Sequence, residues 1–309
     1  MRRLFAVLLG VALAAPALAS PFSIGLIGDM PYERPMAEYQ RVLAELDAAD
    51  LAFVVHVGDI QASSQRADDE RFRARLAEFQ NCAHPFIYTP GDNEWTDTHT
   101  AKAGGFDPLE RLARLREWFF AGELTLGKTK FALQRQSAVC GFELYRENAL
   151  WVREGIVFLT VHTVGSNNNL GRNPAGDAEH AARNRANLAW LRHGFAEATR
   201  RGAPALMIFT QAQIFTNRTP DQLTGHQEFL AAMEELVSAF PRPVAFVHGD
   251  SHYFRVDMPL ESKTTKRRFF NFIRAEVFGD DDTHWLRCDV DPASREVFRF
   301  VPQIIAENR

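Results

Sequence analysis

Four apolar runs in this chain of 309 residues stop on the same dipeptide. FSIGLIGD, LAFVVHVGD, PFIYTPGD and RPVAFVHGD close on Gly28-Asp29, Gly58-Asp59, Gly91-Asp92 and Gly249-Asp250. Short runs rich in β-branched and aromatic residues read as buried strands. In open α/β sheets the ligand site lies beyond the carboxyl ends of the strands. Glycine lets the chain turn there, and aspartate presents a short carboxylate. A single Gly-Asp is ordinarily a turn or a helix start, and Gly176-Asp177 and Gly279-Asp280 read that way. Four that converge cannot be dismissed so easily. Unpaired carboxylates about 4 Å apart repel by roughly 4 kcal/mol at an effective dielectric near 20. No Lys or Arg flanks any of the four, so the pattern predicts a divalent cation among them.

Helical periodicity fills the spaces between strands. RPMAEYQRVLAELDAAD places Met36, Tyr39, Val42, Leu43 and Leu46 on one face, and DPLERLARLREWFFAG has Asp107 as its N-cap. A long helix ends at Gly202, and the tail from Phe269 onward reads as strands of an antiparallel edge. Strands alternating with helices, without repeats or long linkers, predict one α/β domain over residues 20–309. The first 19 residues, with Arg2-Arg3, an apolar stretch and Ala-Leu-Ala, have the layout of a signal peptide cleaved after Ala19. An uncleaved anchor is the alternative. Export to the periplasm or medium is therefore expected. Only Cys82, Cys140 and Cys288 are present, which excludes a disulfide scaffold and leaves one thiol over. A net charge of −4 gives no nucleic-acid-binding signature.

The ordered series Asp29, GDI at Gly58–Ile60, GDNE at Gly91–Glu94 and GDSH at Gly249–His252 resembles the calcineurin-like metallophosphoesterases. Their pattern runs D-x-H, G-D, G-N-H-D/E, a lone His, then G-H-x-H. The resemblance spans nearly the whole mature chain. It implies an αββα sandwich of two mixed sheets flanked by helices, with a two-metal site at the strand ends. It also implies hydrolysis of phosphate mono- or diesters by a metal-activated water, on a small-molecule or lipid substrate. Asp29, Asp59 and His252 match the motif, with Asp59 as the bridge; Asp92 and Asp250 enter as altered ligands.

The departures carry information too. Pro31 stands where the first motif has a histidine, Asn93 takes the histidine of the third, and Gln211 or Gln213 takes the lone His. Oxygen thus replaces nitrogen, which favours Mn²⁺, Mg²⁺ or Ca²⁺ over Zn²⁺, with iron a further candidate. HTVGSNNNLGR (162–172) is either a polar turn or part of the site. In the second case His162 replaces the missing acid, while Asn167, Asn168 and Arg172 contact substrate. Asn93 is a second catalytic candidate, through phosphate contact. Glu94 and Trp95 are expected at the rim, with buried packing the alternative for Trp95. His248, Asp250 and His252 would share a face if their strand continued that far. A degenerate relative that binds a ligand or one ion is the rival reading.

Overall fold

The computed structural model describes residues 19–32, 36–215 and 224–309. All but the last residue of the predicted signal peptide lies outside these. Among the described residues no helix is long and apolar enough to cross a membrane.

The expected strands form in two sheets. In the first, β1 (Phe22–Ile27), β2 (Val54–His56) and β3 (Phe86–Tyr88) run parallel. The antiparallel strands β11 (Trp285–Val290) and β12 (Phe298–Gln303) extend it to the order β12-β11-β1-β2-β3. The second sheet has the order β4-β5-β6-β7-β8-β10-β9. Its parallel centre is β6 (Ile156–Thr160), β7 (Leu206–Phe209), β8 (Val244–His248) and β10 (Phe272–Glu276). Around it lie β4 (Gln134–Arg135), β5 (Ala149–Arg153) and β9 (Arg255–Asp257). The tail departs from the expected antiparallel edge at one point. β10 crosses into the second sheet and pairs parallel to β8, with Glu276 opposite His248.

Alternation decides which side chains face which layer. Ile24 and Leu26 of β1, with Phe53, Val55 and Val57 around β2, point into the space between the sheets. They meet Trp151, Phe158 and Phe209 there, with Trp151 stacked on both phenylalanines at 5.5 and 5.8 Å. The alternate residues Ile27 and Val54 face outward, against Tyr39, Val42 and Leu46 of α1 (Met36–Ala48). Helices α2 (Asp69–Asn81) and α3 (Pro108–Phe119) complete that layer. The Asp107 carboxylate caps α3 through Leu109 N–H at 2.9 Å. On the far side α5 (Pro174–Arg201) and α6 (Gln227–Ala239) cover the second sheet with Trp190, Phe195, Phe229 and Met233. Gly202 closes α5 at φ 63°. The architecture is αββα. Cys82, Cys140 and Cys288 are all free thiols.

His56, at the end of β2, shows how completely this interior excludes water. Its Nε2 lies 2.9 Å from Met30 O, and its Nδ1 accepts Gly58 N–H at 3.2 Å, so the neutral ring fits both partners. Burial lowers its pKa from 6.5 to about 4. A depressed imidazole pKa means that its contribution to stability is complete above pH 6.5 and is lost as pH falls towards about 4. The gap in unfolding free energy between wild type and His56→Leu should therefore narrow by about 2–3 kcal/mol from pH 7.5 to 4.5. Urea titrations at both pH values measure it, and an unchanged gap would remove His56 as an acid-sensitive element.

Candidate functional site

Every parallel strand delivers its next residues to the same end of the sandwich. Asp29 follows β1, Asp59 follows β2 and Asp92 follows β3. Gln211 and Gln213 follow β7, Asp250 and His252 follow β8, and Glu276 ends β10. Asp29, Asp59 and Asp92 are buried. Asp250 N–H donates to Asp29 Oδ1 at 2.9 Å, joining the two sheets across the site. His252 Nε2 stands 3.7 Å from Asp29 Oδ1, and its ring packs 5.1 Å from that of Tyr32.

The backbone is held in conformations that L-residues avoid. Asp29, Asp59, Asp250 and His252 all have positive φ, between 53° and 81°. So do Ser166, Asn167, Asn168 and Asn169, which with Gly165 form a left-handed turn, α4 (Gly165–Asn168). These eight are most of the eleven such non-glycine residues among the described residues. Each costs of order 1–3 kcal/mol and persists only where its surroundings over-determine it, as functional sites do. Asn tolerates the left-handed region better than most residues, which accounts for the run of three asparagines.

Electrostatics follow from this crowding. Burial, then Asp250, pushes the Asp29 carboxyl well above the usual carboxylate range. Burial, then Asp92 and Glu94, does the same to Asp59, and burial, then Asp250 and Asp97, to Asp92. The four carboxylates that the sequence pattern brought together do converge.

The other predicted residues have different surroundings. Asn93 lies in the site, its backbone N–H on Asp59 Oδ1 and its amide on Tyr32 Oη and Gln61 O, each at 3.0 Å. His162 is fully buried, with Nδ1 2.8 Å from Glu147 Oε1 and its ring against Trp95. Asn168 accepts from Arg183 at 2.6 Å and donates to Gly225 O at 3.0 Å. Asn167 donates to Leu170 O and Thr224 Oγ1, both at 3.1 Å. The Arg172 guanidinium binds Thr96 O, Asn169 Oδ1 and His99. Asn167, Asn168 and Arg172 thus brace the left-handed turn, while the His162 side chain is held by Glu147 and Trp95. Glu94 and Trp95 are buried rather than at the rim. Glu94 Oε1 accepts Asp59 N–H, Gly91 N–H and Tyr88 OH, tying two aspartate loops together. His248 also turns inward, on the same face of β8 as Val244 and Phe246 and 5.7 Å from the Phe246 ring; its Nδ1 lies 2.7 Å from Gly249 O.

Some participants carried no signal in the sequence. Tyr32 donates to Asp59 Oδ2 at 3.1 Å, and the exposed Ser166 donates to Asp92 Oδ2 at 2.9 Å. Glu276 receives Ser251 N–H at 3.1 Å and Arg255 Nε at 2.6 Å, anchoring the loop that bears Asp250. Of these only Tyr32 had a local cue, three residues after Asp29.

The donors are oxygens of the chemical type that divalent cations take. Buried Asp29 Oδ2 and Asp92 Oδ1 have no hydrogen-bond partner. A Cβ on Gly165 would meet the Asp92 and Asp250 carboxylates at 2.7–2.8 Å, so only glycine leaves that space open. Carboxylate oxygens select hard cations. The cage is not closed as it stands. Among the described residues, no three His, Cys, Asp or Glu side chains have metal-ligating geometry.

No protein-family model matches the chain, and no curated protein matches its sequence. Solved structures do match its shape. PhoD superposes with a TM-score of 0.59 at 13% identity, over 91% of this chain and 66% of that one. The purple acid phosphatase PPD1 of yellow lupin gives 0.52 at 12% identity, over 95% of this chain and 56% of that one. GAP50, titled the anchor in the inner membrane complex of Plasmodium, gives 0.50 at 10% identity, over 92% and 89%. The chain therefore spans just under two thirds of PhoD and little more than half of the lupin enzyme. The observed fold agrees with the one that the ordered motifs imply: this chain is a divergent bearer of the calcineurin-like metallophosphoesterase fold.

Proposed function

We propose that the chain is an exported phosphoesterase that works with a divalent cation, Mn²⁺, Mg²⁺ or Ca²⁺ in preference to Zn²⁺. The observation that carries this reading is the pair of buried, unpartnered oxygens on Asp29 and Asp92 at the strand ends of a metallophosphoesterase fold. When bound, the cation supplies the charge that polarises phosphoryl oxygens and acidifies the attacking water. Asp29, Asp92, Asp250 and His252 would hold it. Ser166, exposed beside Asp92, would orient a small-molecule or lipid phosphate ester, and Tyr32 would hold Asp59 in place. Asn93 sets the position of Asp59 and Tyr32. His162, Asn167, Asn168 and Arg172 act from below, by holding the left-handed turn against Asp92.

Asn93 has no acidic proton to transfer, and His162 is sealed from solvent. General acid catalysis contributes roughly 10²–10⁴-fold, so poor leaving groups should suffer most. The mature protein with added Mn²⁺ or Mg²⁺ should cleave p-nitrophenyl phosphate or its diester, and alkyl phosphates far more slowly. Chelation should abolish both activities. Absence of any ester cleavage across metals and pH would leave the second reading, a protein that binds a ligand or ion without turnover. That reading draws on the committed hydrogen bonds of Asp59 and on the shape shared with GAP50, an anchor by title. Export is tested separately, by the intact mass of the recovered protein.

A further inference from the structure

Away from the carboxylate end, basic residues gather in the connection from β9 to β10. Between Leu260 and Phe270 stand Lys263, Lys266, Arg267 and Arg268 against a single carboxylate, Glu261, in a protein whose net charge is −4. The stretch is a fixed hairpin rather than a loose loop. Ser262 N–H donates to Arg267 O and Lys266 N–H to Ser262 O, both at 2.9 Å, and Phe269 N–H donates to Leu260 O at 3.1 Å. Its base is anchored. Leu260 and Phe269 pack into the apolar cluster that includes Val237 and Phe240, and Lys263 N–H donates to Glu234 of α6 at 2.7 Å.

Alternation turns the neighbours of Phe269 outward. Phe270 is 81% exposed, more than any other large hydrophobic side chain among the described residues. Every residue from Lys263 to Arg268 is exposed as well. Glu261 pairs with Arg268 at 3.2 Å on the open surface, where such a pair contributes little. Among the described residues, Lys263, Lys266 and Arg267 form no ion pair. Asn271, next to Phe270, donates to Phe240 O and accepts from Val244 N–H, both at 2.7 Å. Those bonds set the foot of the hairpin against the segment that bears the exposed Arg242. This is where β8 and β10 begin, whereas Asp250 lies where β8 finishes. The second sheet is therefore polarised, with cations and a bare ring at one end and carboxylates at the other.

We propose that this hairpin docks the protein on an anionic lipid surface, with Lys263, Lys266, Arg267 and Arg268 on headgroup phosphates and Phe270 in the interface. Anionic headgroups attract clustered Lys and Arg, and apolar side chains beside the cations enter the boundary below the headgroups. A soluble polyanion would answer the cations and leave the phenyl ring in water; a bilayer accommodates both. The docking is independent of the chemistry at the carboxylate end, which faces away from the lipid.

Co-sedimentation of the mature protein with vesicles tests this, comparing phosphatidylcholine alone with an equal mixture of phosphatidylcholine and phosphatidylglycerol. Retention is expected on the mixed vesicles only, and high salt should weaken it. The double variant Lys266→Gln/Arg267→Gln should lower the partition coefficient at least about tenfold. Phe270→Ser should lower it at least about threefold. All three side chains are exposed, and melting curves check that the variants are folded. No retention on the mixed vesicles, equal retention on both kinds, or unchanged retention of the double variant would overturn the proposal. Unchanged retention of Phe270→Ser would overturn it too and assign the cations to a soluble polyanion, for which immobilised heparin is the probe.

Discussion

Glu147→Ala should cost the fold about 3–5 kcal/mol, the usual loss when one partner of a buried ion pair is removed. The Glu147 carboxylate is fully buried and receives Arg116 at 2.6–3.2 Å. It also lies 2.8 Å from His162 Nδ1. Burial alone would raise its pKa, but the Arg116 guanidinium and the His162 hydrogen bond hold it well below the usual carboxylate range. The charge is therefore present at neutral pH and compensated. Without it Arg116, whose side chain is 16% exposed, loses its counter-charge, and the His162 ring loses the acceptor that orients it. Urea unfolding of Glu147→Ala, Arg116→Ala and the double variant measures the coupling. Strictly additive losses, or a single loss under about 1 kcal/mol, would show that the pair contributes little.

The second large effect is expected on binding rather than on folding. Gly165→Ala puts a methyl group where the Asp92 and Asp250 carboxylates now approach within 2.8 Å. Gly165 is absent from the positive-φ residues, so alanine fits its backbone conformation. The two carboxylates must move apart, and a misplaced ligand of this kind typically lowers metal affinity or activity by about 10–100-fold. Mn²⁺ affinity and aryl phosphate hydrolysis should fall together while the melting temperature stays near that of wild type. Unchanged Mn²⁺ affinity in a folded variant would place the cation elsewhere.

The route from residues to this site was legible where the physics is local. Strand and helix periods, the Asp107 cap, the Gly202 stop and the Gly-Asp endings are all written within a few residues. The motif order then pointed to the correct two-sheet architecture. The stretch 162–172 was ambiguous for a reason that is also physical. Asn and Gly suit an idle turn and a ligand loop equally, and in the structure the stretch does some of both, Asn168 bonding to Arg183 and Gly225 while Ser166 reaches Asp92.

By itself the sequence determined the two sets of strands, the helices between them and the convergence of four aspartates. Hydrophobic periodicity and glycine punctuation act at short range, so they survive without knowledge of the fold. Tertiary structure alone decided that β10 lies parallel to β8, that His162 and His248 turn inward, and which aspartate oxygens keep a partner. Those outcomes depend on contacts between distant segments: Gln211 reaches Asp59 across 152 residues and Asp250 reaches Asp29 across 221. A carboxylate's neighbours in space set whether it can accept an ion, and for these aspartates most of them are supplied from other strands.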